Sequence, residues 1–130
     1  MLKGTARIEA ADRIAVQGEE PAELLAKHIL IATGSNPAVP PIPGHELAGV
    51  VTSDELLSLA AVPERLVIIG GGVSGAEVAS LYAALGSQVT VIEALEHILM
   101  NLDREMSQSA KLLMMKQGVD IHTAARVERI

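Results

Sequence analysis

The chain has 130 residues and a formal charge of −6, and 49% of its residues are apolar, nearly all of them small or aliphatic: Tyr82 is the only aromatic residue. That length supports one ordinary core, and an acidic chain with no basic block and no aromatic stacking platform argues against a nucleic-acid partner. With no cysteine there is no disulphide framework, thiolate metal cluster or thiol nucleophile within these residues. No apolar run approaches a membrane span, and MLKGTARIEAADR lacks the apolar core of a signal peptide, so a cytoplasmic chain without membrane contact is expected.

TARIE (5–9) and RIAVQ (13–17) alternate around the turn-prone Ala11-Asp12 and predict two strands, while HILIATG (28–34) is a continuous apolar run that predicts a buried third. SNPAVPPIPG (35–44) carries four prolines, which leaves an extended connector. TSDELLSLA (52–60) predicts a short helix, because Thr52 with Glu55 three positions later is the pattern of a capping box.

From Pro63 the grammar becomes strand, helix, strand, helix, strand. LVIIG (66–70) reads as the first strand, residues 73–85 as a helix stopped by Gly86, and QVTVIE (88–93) as the second strand. Asp103 caps a helix running to about Gln117, with Gly118 beyond it, and VDIHT (119–123) starts a third strand. This alternation implies α/β architecture, a Rossmann-like doubly wound parallel sheet preceded by a few antiparallel strands. About three strands of the usual five or six are present, so the chain is expected to be a piece of a larger protein. The expected division is 1–35, a connector with a short helix over 36–61, and an incomplete nucleotide-binding domain over 62–130.

The first parallel strand runs into Gly70, Gly71 and Gly72, residues that each cost roughly 0.5–1 kcal/mol relative to alanine inside regular structure. Gly70, Gly72 and Gly75 satisfy G-x-G-x-x-G between a strand and a helix, and an acid, Glu93, ends the next strand. Such a loop turns tightly at its first glycine, admits a pyrophosphate at its second and packs helix on strand at its third. The open helix start near Val73 and Ser74 then offers amides and a favourable dipole to an anion. Glu93 can accept both ribose hydroxyls of NAD but repels a 2′-phosphate by on the order of 4 kcal/mol at ~4 Å and an effective dielectric near 20, which favours NAD over NADP. Glu77, read as first-turn, is expected to point along the cofactor; an exposed helix glutamate is the plain alternative. A tight βα turn without ligand is the plain alternative for the whole loop.

The four histidines show no metal spacing, and Met106, Met114 and Met115 read as core packing.

Two motifs in one order, HILIATGS (28–35) before the proline-rich link and LVIIGGGVSGAEVAS (66–80) after it, resemble the pyridine nucleotide-disulphide oxidoreductases. VVTSDELLSL (50–59), GSQVTVIE (86–93) and KQGVDIHT (116–123) bring the likeness near that family's dihydrolipoamide dehydrogenase branch. The resemblance implies that 1–35 are the last strands of a first FAD-domain segment and 62–130 the first half of an inserted NAD domain. It implies FAD contacts at Gly4, Thr33, Gly34 and Ser35, nicotinamide contact at Glu77 and adenine contact at the backbone of Val127. It further implies a homodimeric parent passing electrons between dihydrolipoamide, a Cys-x4-Cys disulphide, FAD and NAD. That disulphide, the first FAD glycine loop and the C-terminal His-Glu pair do not occur here, so no catalytic residue is expected and the chain alone should not turn over. Ser74 and Ala76 replace residues usually larger and apolar, and Met100 stands where many relatives have proline. An NAD-sensing module without catalysis, or another flavin disulphide reductase such as an NADH oxidase relative, are the competing readings.

Overall fold

The alternating patterns at the start of the chain pair as expected. In the computed structural model, which describes residues 1–130, β1 (Thr5–Ala10) and β2 (Arg13–Gln17) are antiparallel, with a register irregularity between Ile8 and Ala10. The next strand differs from expectation. HILIATG has no regular structure, with Leu30 90% and Ile31 69% exposed. Instead β3 (Ala22–Leu25) completes the antiparallel sheet in the order β1-β2-β3. An apolar run becomes a strand only beside a neighbour that takes its N–H and C=O groups, and no strand pairs with 28–34. Arg13 and Glu23 form an ion pair across this sheet at 3.2 Å, half-exposed on both sides and so of small energetic weight. These strands belong to one of two compact units, Met1–Asn36; the other is Pro37–Ile130.

In the second unit α1 (Ser53–Leu56) is a single turn with the expected capping box: the Thr52 N–H and hydroxyl both donate to Glu55 Oε2, at 2.7 and 2.9 Å. These donors hold the Glu55 carboxyl below its ordinary value. Three parallel strands follow in the order β4 (Arg65–Ile69), β5 (Gln88–Ile92) and β6 (Asp120–His122), linked by α2 (Val73–Ala84) and α3 (Arg104–Lys116). Asp103 caps α3 by accepting from the Met106 N–H at 2.9 Å, and Gly86 and Gly118 follow the two helices in left-handed conformation.

The register places Leu66 opposite Val89, and Ile68 and Ile121 both opposite Val91, all on the face that carries the helices. Val89 and Val91 are buried there with Ala76, Ala79, Tyr82, Ile98, Met114 and Leu56. Each fully buried aliphatic side chain contributes roughly 1.5–3 kcal/mol. The short side chains of Ala76 and Ala79 let α2 lie close to the sheet. The other face is open, with Val67 60% exposed. Of the three methionines expected in the core only Met114 is buried; Met106 and Met115 are exposed, because α3 offers a single face, Ser107, Ala110 and Met114, to the sheet. No helix is long and apolar enough to cross a membrane.

Candidate functional site

The site is built where β4 meets α2. Gly70 continues the parallel pairing by donating to the Ile92 carbonyl at 2.9 Å, then turns the chain at φ +110, a conformation a side chain would strain. Gly72 is the N-cap of α2 and its side chain position is empty: a Cβ there would find nothing of the protein within 4 Å. Gly75 is the opposite case, since a Cβ would run into the Gly70 carbonyl oxygen. The first and third glycines are therefore needed by the turn itself, and the second is not.

No side chain caps α2, and the first-turn amides of Val73, Ser74 and Gly75 have no acceptor within the chain. Four amides at a helix start lack intrahelical partners and carry the positive end of the dipole. Beside them Glu93, partly buried, is held by two backbone donors, the Gly71 N–H at 2.6 Å and the Leu95 N–H at 2.8 Å. The strand-end acid and the glycine loop are thus one assembly. The Gly71 carbonyl accepts in turn from the Leu99 N–H at 2.8 Å. Leu99 has φ +53, uncommon for a bulky residue and costing of order 1–3 kcal/mol.

Gly70, Gly72, Val73, Ser74 and Gly75 line a cleft of about 810 Å³ whose other wall is the connector, from Pro37 to Leu56. Its charged or titratable lining is His45, Glu46 and Glu55, with no lysine or arginine. Sequence reasoning missed the connector as a wall of this site. Two bonds hold it: the buried Tyr82 hydroxyl donates to the Leu56 carbonyl at 2.8 Å, and the Ile130 N–H donates to the Pro43 carbonyl at 2.9 Å. A lone tyrosine on an otherwise alanine-rich buried helix face was the available signal.

Glu77 lies in the second turn of α2, not the first, because the helix begins at Val73; it is exposed. Val127 follows β6 and lines a separate shallow hollow of about 660 Å³ with Ile92, His122 and the segment around Arg126 and Arg129. His122, which lines it, has its Nε2 2.9 Å from Asp120 Oδ2. Gly4, Thr33, Gly34 and Ser35 belong to the first unit. Gly4 precedes β1, where a Cβ would run into the Gln17 carbonyl oxygen, so the hairpin alone requires glycine there. Thr33, Gly34 and Ser35 are exposed and without regular structure, with Gly34 at φ +72. No group of three or more His, Cys, Asp or Glu side chains could hold a metal ion.

Known proteins resemble the chain along its whole length. A dihydrolipoyl dehydrogenase of Chlamydia pneumoniae is 41% identical over 131 residues, covering 100% of this chain and 28% of that protein. A mercuric reductase of Lysinibacillus sphaericus is 38% identical, covering 100% of this chain and 23% of that protein. Among solved structures, the HOCl-induced flavoprotein disulfide reductase RclA from Escherichia coli superposes with a TM-score of 0.79 at 38% identity, over 99% of this chain and 29% of that one. The chain therefore spans less than a third of the length of these relatives. The family model described as pyridine nucleotide-disulphide oxidoreductase matches residues 1–130, and the chain belongs to that family.

Proposed function

We propose that the glycine loop and Glu93 hold the adenosine diphosphate portion of NAD, and that residues 62–130 are the first part of the NAD-binding domain of a flavin-dependent dihydrolipoamide dehydrogenase. One observation carries this reading: the uncapped amides of α2 open beside the vacant side-chain position of Gly72, with the Glu93 carboxylate fixed at their edge. A turn that served packing alone would need Gly70 and Gly75 but tolerate a side chain at Gly72. The amides of Val73, Ser74 and Gly75 would face the diphosphate, and with no cation lining the cleft they and the helix dipole supply its neutralisation. The cleft of about 810 Å³ takes in the glycines and the helix start but not Glu77, Glu93 or Val127, so it supports the diphosphate position alone.

Glu93 would accept the ribose hydroxyls through the lone pairs its two backbone donors leave free. Glu77, exposed and clear of the amides, would reach the nicotinamide end, and Val127 the adenine. NAD bound there supplies a hydride acceptor; the residues of this chain orient it and do no covalent chemistry. For FAD, the open, left-handed Gly34 with Thr33 and Ser35 fits a close-approaching group, whereas Gly4 is explained by its hairpin. In the parent we place dihydrolipoamide as substrate and a homodimer, both by resemblance, with a cytoplasmic setting as the default.

Replacing Glu93 by glutamine tests the ribose role, because the single amide oxygen can still accept from the Gly71 N–H while the charge, and with it the bond from the Leu95 N–H, is removed. Calorimetry should show weaker NADH binding and about tenfold less discrimination against NADPH, below the ~4 kcal/mol unscreened ceiling because solvent reaches the group. Unchanged discrimination rejects the assignment. For the substrate, NADH-dependent reduction of lipoamide against that of mercuric ion by the whole parent protein separates the two kinds of relative.

A further inference from the structure

Ser107 is the most deeply buried polar residue of the chain, at 0% exposure, and shares its helix face with Ala110 and Met114. A hydroxyl on an apolar stripe must be bonded to be tolerated, and its Oγ donates to the Ile98 carbonyl at 2.6 Å. Ile98, itself 1% exposed, occupies the space beside Gly71, where a Cβ would lie 2.6 Å from Ile98 Cγ2. The next residue is the left-handed Leu99, whose N–H holds the Gly71 carbonyl, while the Gly71 N–H is held by Glu93. A bulky residue stays left-handed only where its surroundings over-determine it.

We propose that Ser107 is a positioning residue of the glycine loop. Its buried hydroxyl pins Ile98 and thereby keeps Leu99 in the conformation that fixes the Gly71 peptide, so that the amides following Gly71 are presented in one orientation to an anionic ligand. The nucleotide part of this inference rests on the function proposed above; the mechanical coupling from α3 to the loop does not.

Ser87 is an internal control. It too is buried, at 8% exposure, and its Oγ donates to the Pro63 carbonyl at 2.6 Å, but its bond does not lead to the loop. The test compares Ser107→Ala with Ser87→Ala in the full chain by amide hydrogen exchange and NADH titration. In Ser107→Ala, exchange at Gly71 and Leu99 should rise about five- to tenfold beyond any change at Val89 and Val91, and NADH affinity should fall about threefold or more. Ser87→Ala should do neither, whatever thermal stability it loses. Exchange at Gly71 and Leu99 that merely follows Val89 and Val91 overturns the proposal, as does faster exchange with undiminished NADH affinity. A wild-type chain that bound no NADH would defeat the nucleotide reading, and exchange alone would then decide the coupling. Should Ser107→Ala not fold, Ser107→Cys fills the site with a somewhat larger atom and a weaker donor; a smaller change in the same direction supports the proposal and none overturns it.

Discussion

Replacing Gly72 by alanine separates what the fold needs from what a ligand needs. At φ −71 and ψ −172 the backbone already suits alanine, and the added methyl meets nothing of the protein within 4 Å. Restricting the unfolded chain stabilises by about 0.4–1 kcal/mol, while alanine is a poorer N-cap than glycine by a comparable amount. The two offset, so thermal unfolding should move by no more than about 3 °C. The methyl would however stand where the diphosphate must approach, and NADH affinity should fall at least about tenfold, equivalent to ~1.4 kcal/mol. Circular dichroism melts paired with calorimetric titration read both quantities. A Gly72→Ala chain of normal stability that bound NADH as the wild type does would refute the loop as a diphosphate site.

Gly75→Ala should behave in the opposite way, losing about 2–4 kcal/mol in denaturant unfolding because a backbone oxygen cannot move aside; stability within ~0.5 kcal/mol of wild type would contradict the close approach. Tyr82→Phe removes the donor to the Leu56 carbonyl, whose only other donor is the Leu59 N–H at 3.4 Å, so a loss of about 1–2 kcal/mol and a melt lowered by roughly 3–8 °C are expected. An unchanged melt would show that the hydroxyl does not anchor the connector. The Glu55 carboxyl is depressed in the fold by its Thr52 donors, so its capping contribution is complete above the unfolded value, about pH 4.3, and fades as pH falls through the lower folded value. Glu55→Gln should flatten that part of the stability profile; an identical acid limb would remove Glu55 as its cause.

The features most legible in the sequence were those whose cause is local. Asp103 and Gly118 bound α3, Thr52 and Glu55 close their box, and the glycine loop sits between a strand and a helix, because each depends on residues a few positions apart. HILIATG failed as a strand because apolar pattern says nothing of whether a neighbour is there to pair. The short β3, with Glu23 within it, was missed, although Gly18 and Pro21 just before it are turn-forming residue types. Glu77 was placed one turn early although the helix start at Val73 was read correctly: as the fifth helical residue it lies just past the first turn of 3.6 residues. Within the site, the glycines and Glu93 were readable as a motif, but the contacts that brace them were not. Leu99 joins Gly71 through main-chain atoms alone, and the Ser107 hydroxyl ends on the Ile98 main-chain carbonyl, so the acceptors carry no residue identity. The sole sequence trace of the second contact was a serine in phase with Ala110 and Met114.

Gly71, engaged at both its N–H and its carbonyl by the protein itself, has a kinetic corollary. An arriving ligand would find this part of its cradle already set, and little loop entropy would remain to be surrendered on docking. Variants that loosen the brace should therefore shorten residence time more than they slow encounter, with the change falling in koff while kon stays near its starting value.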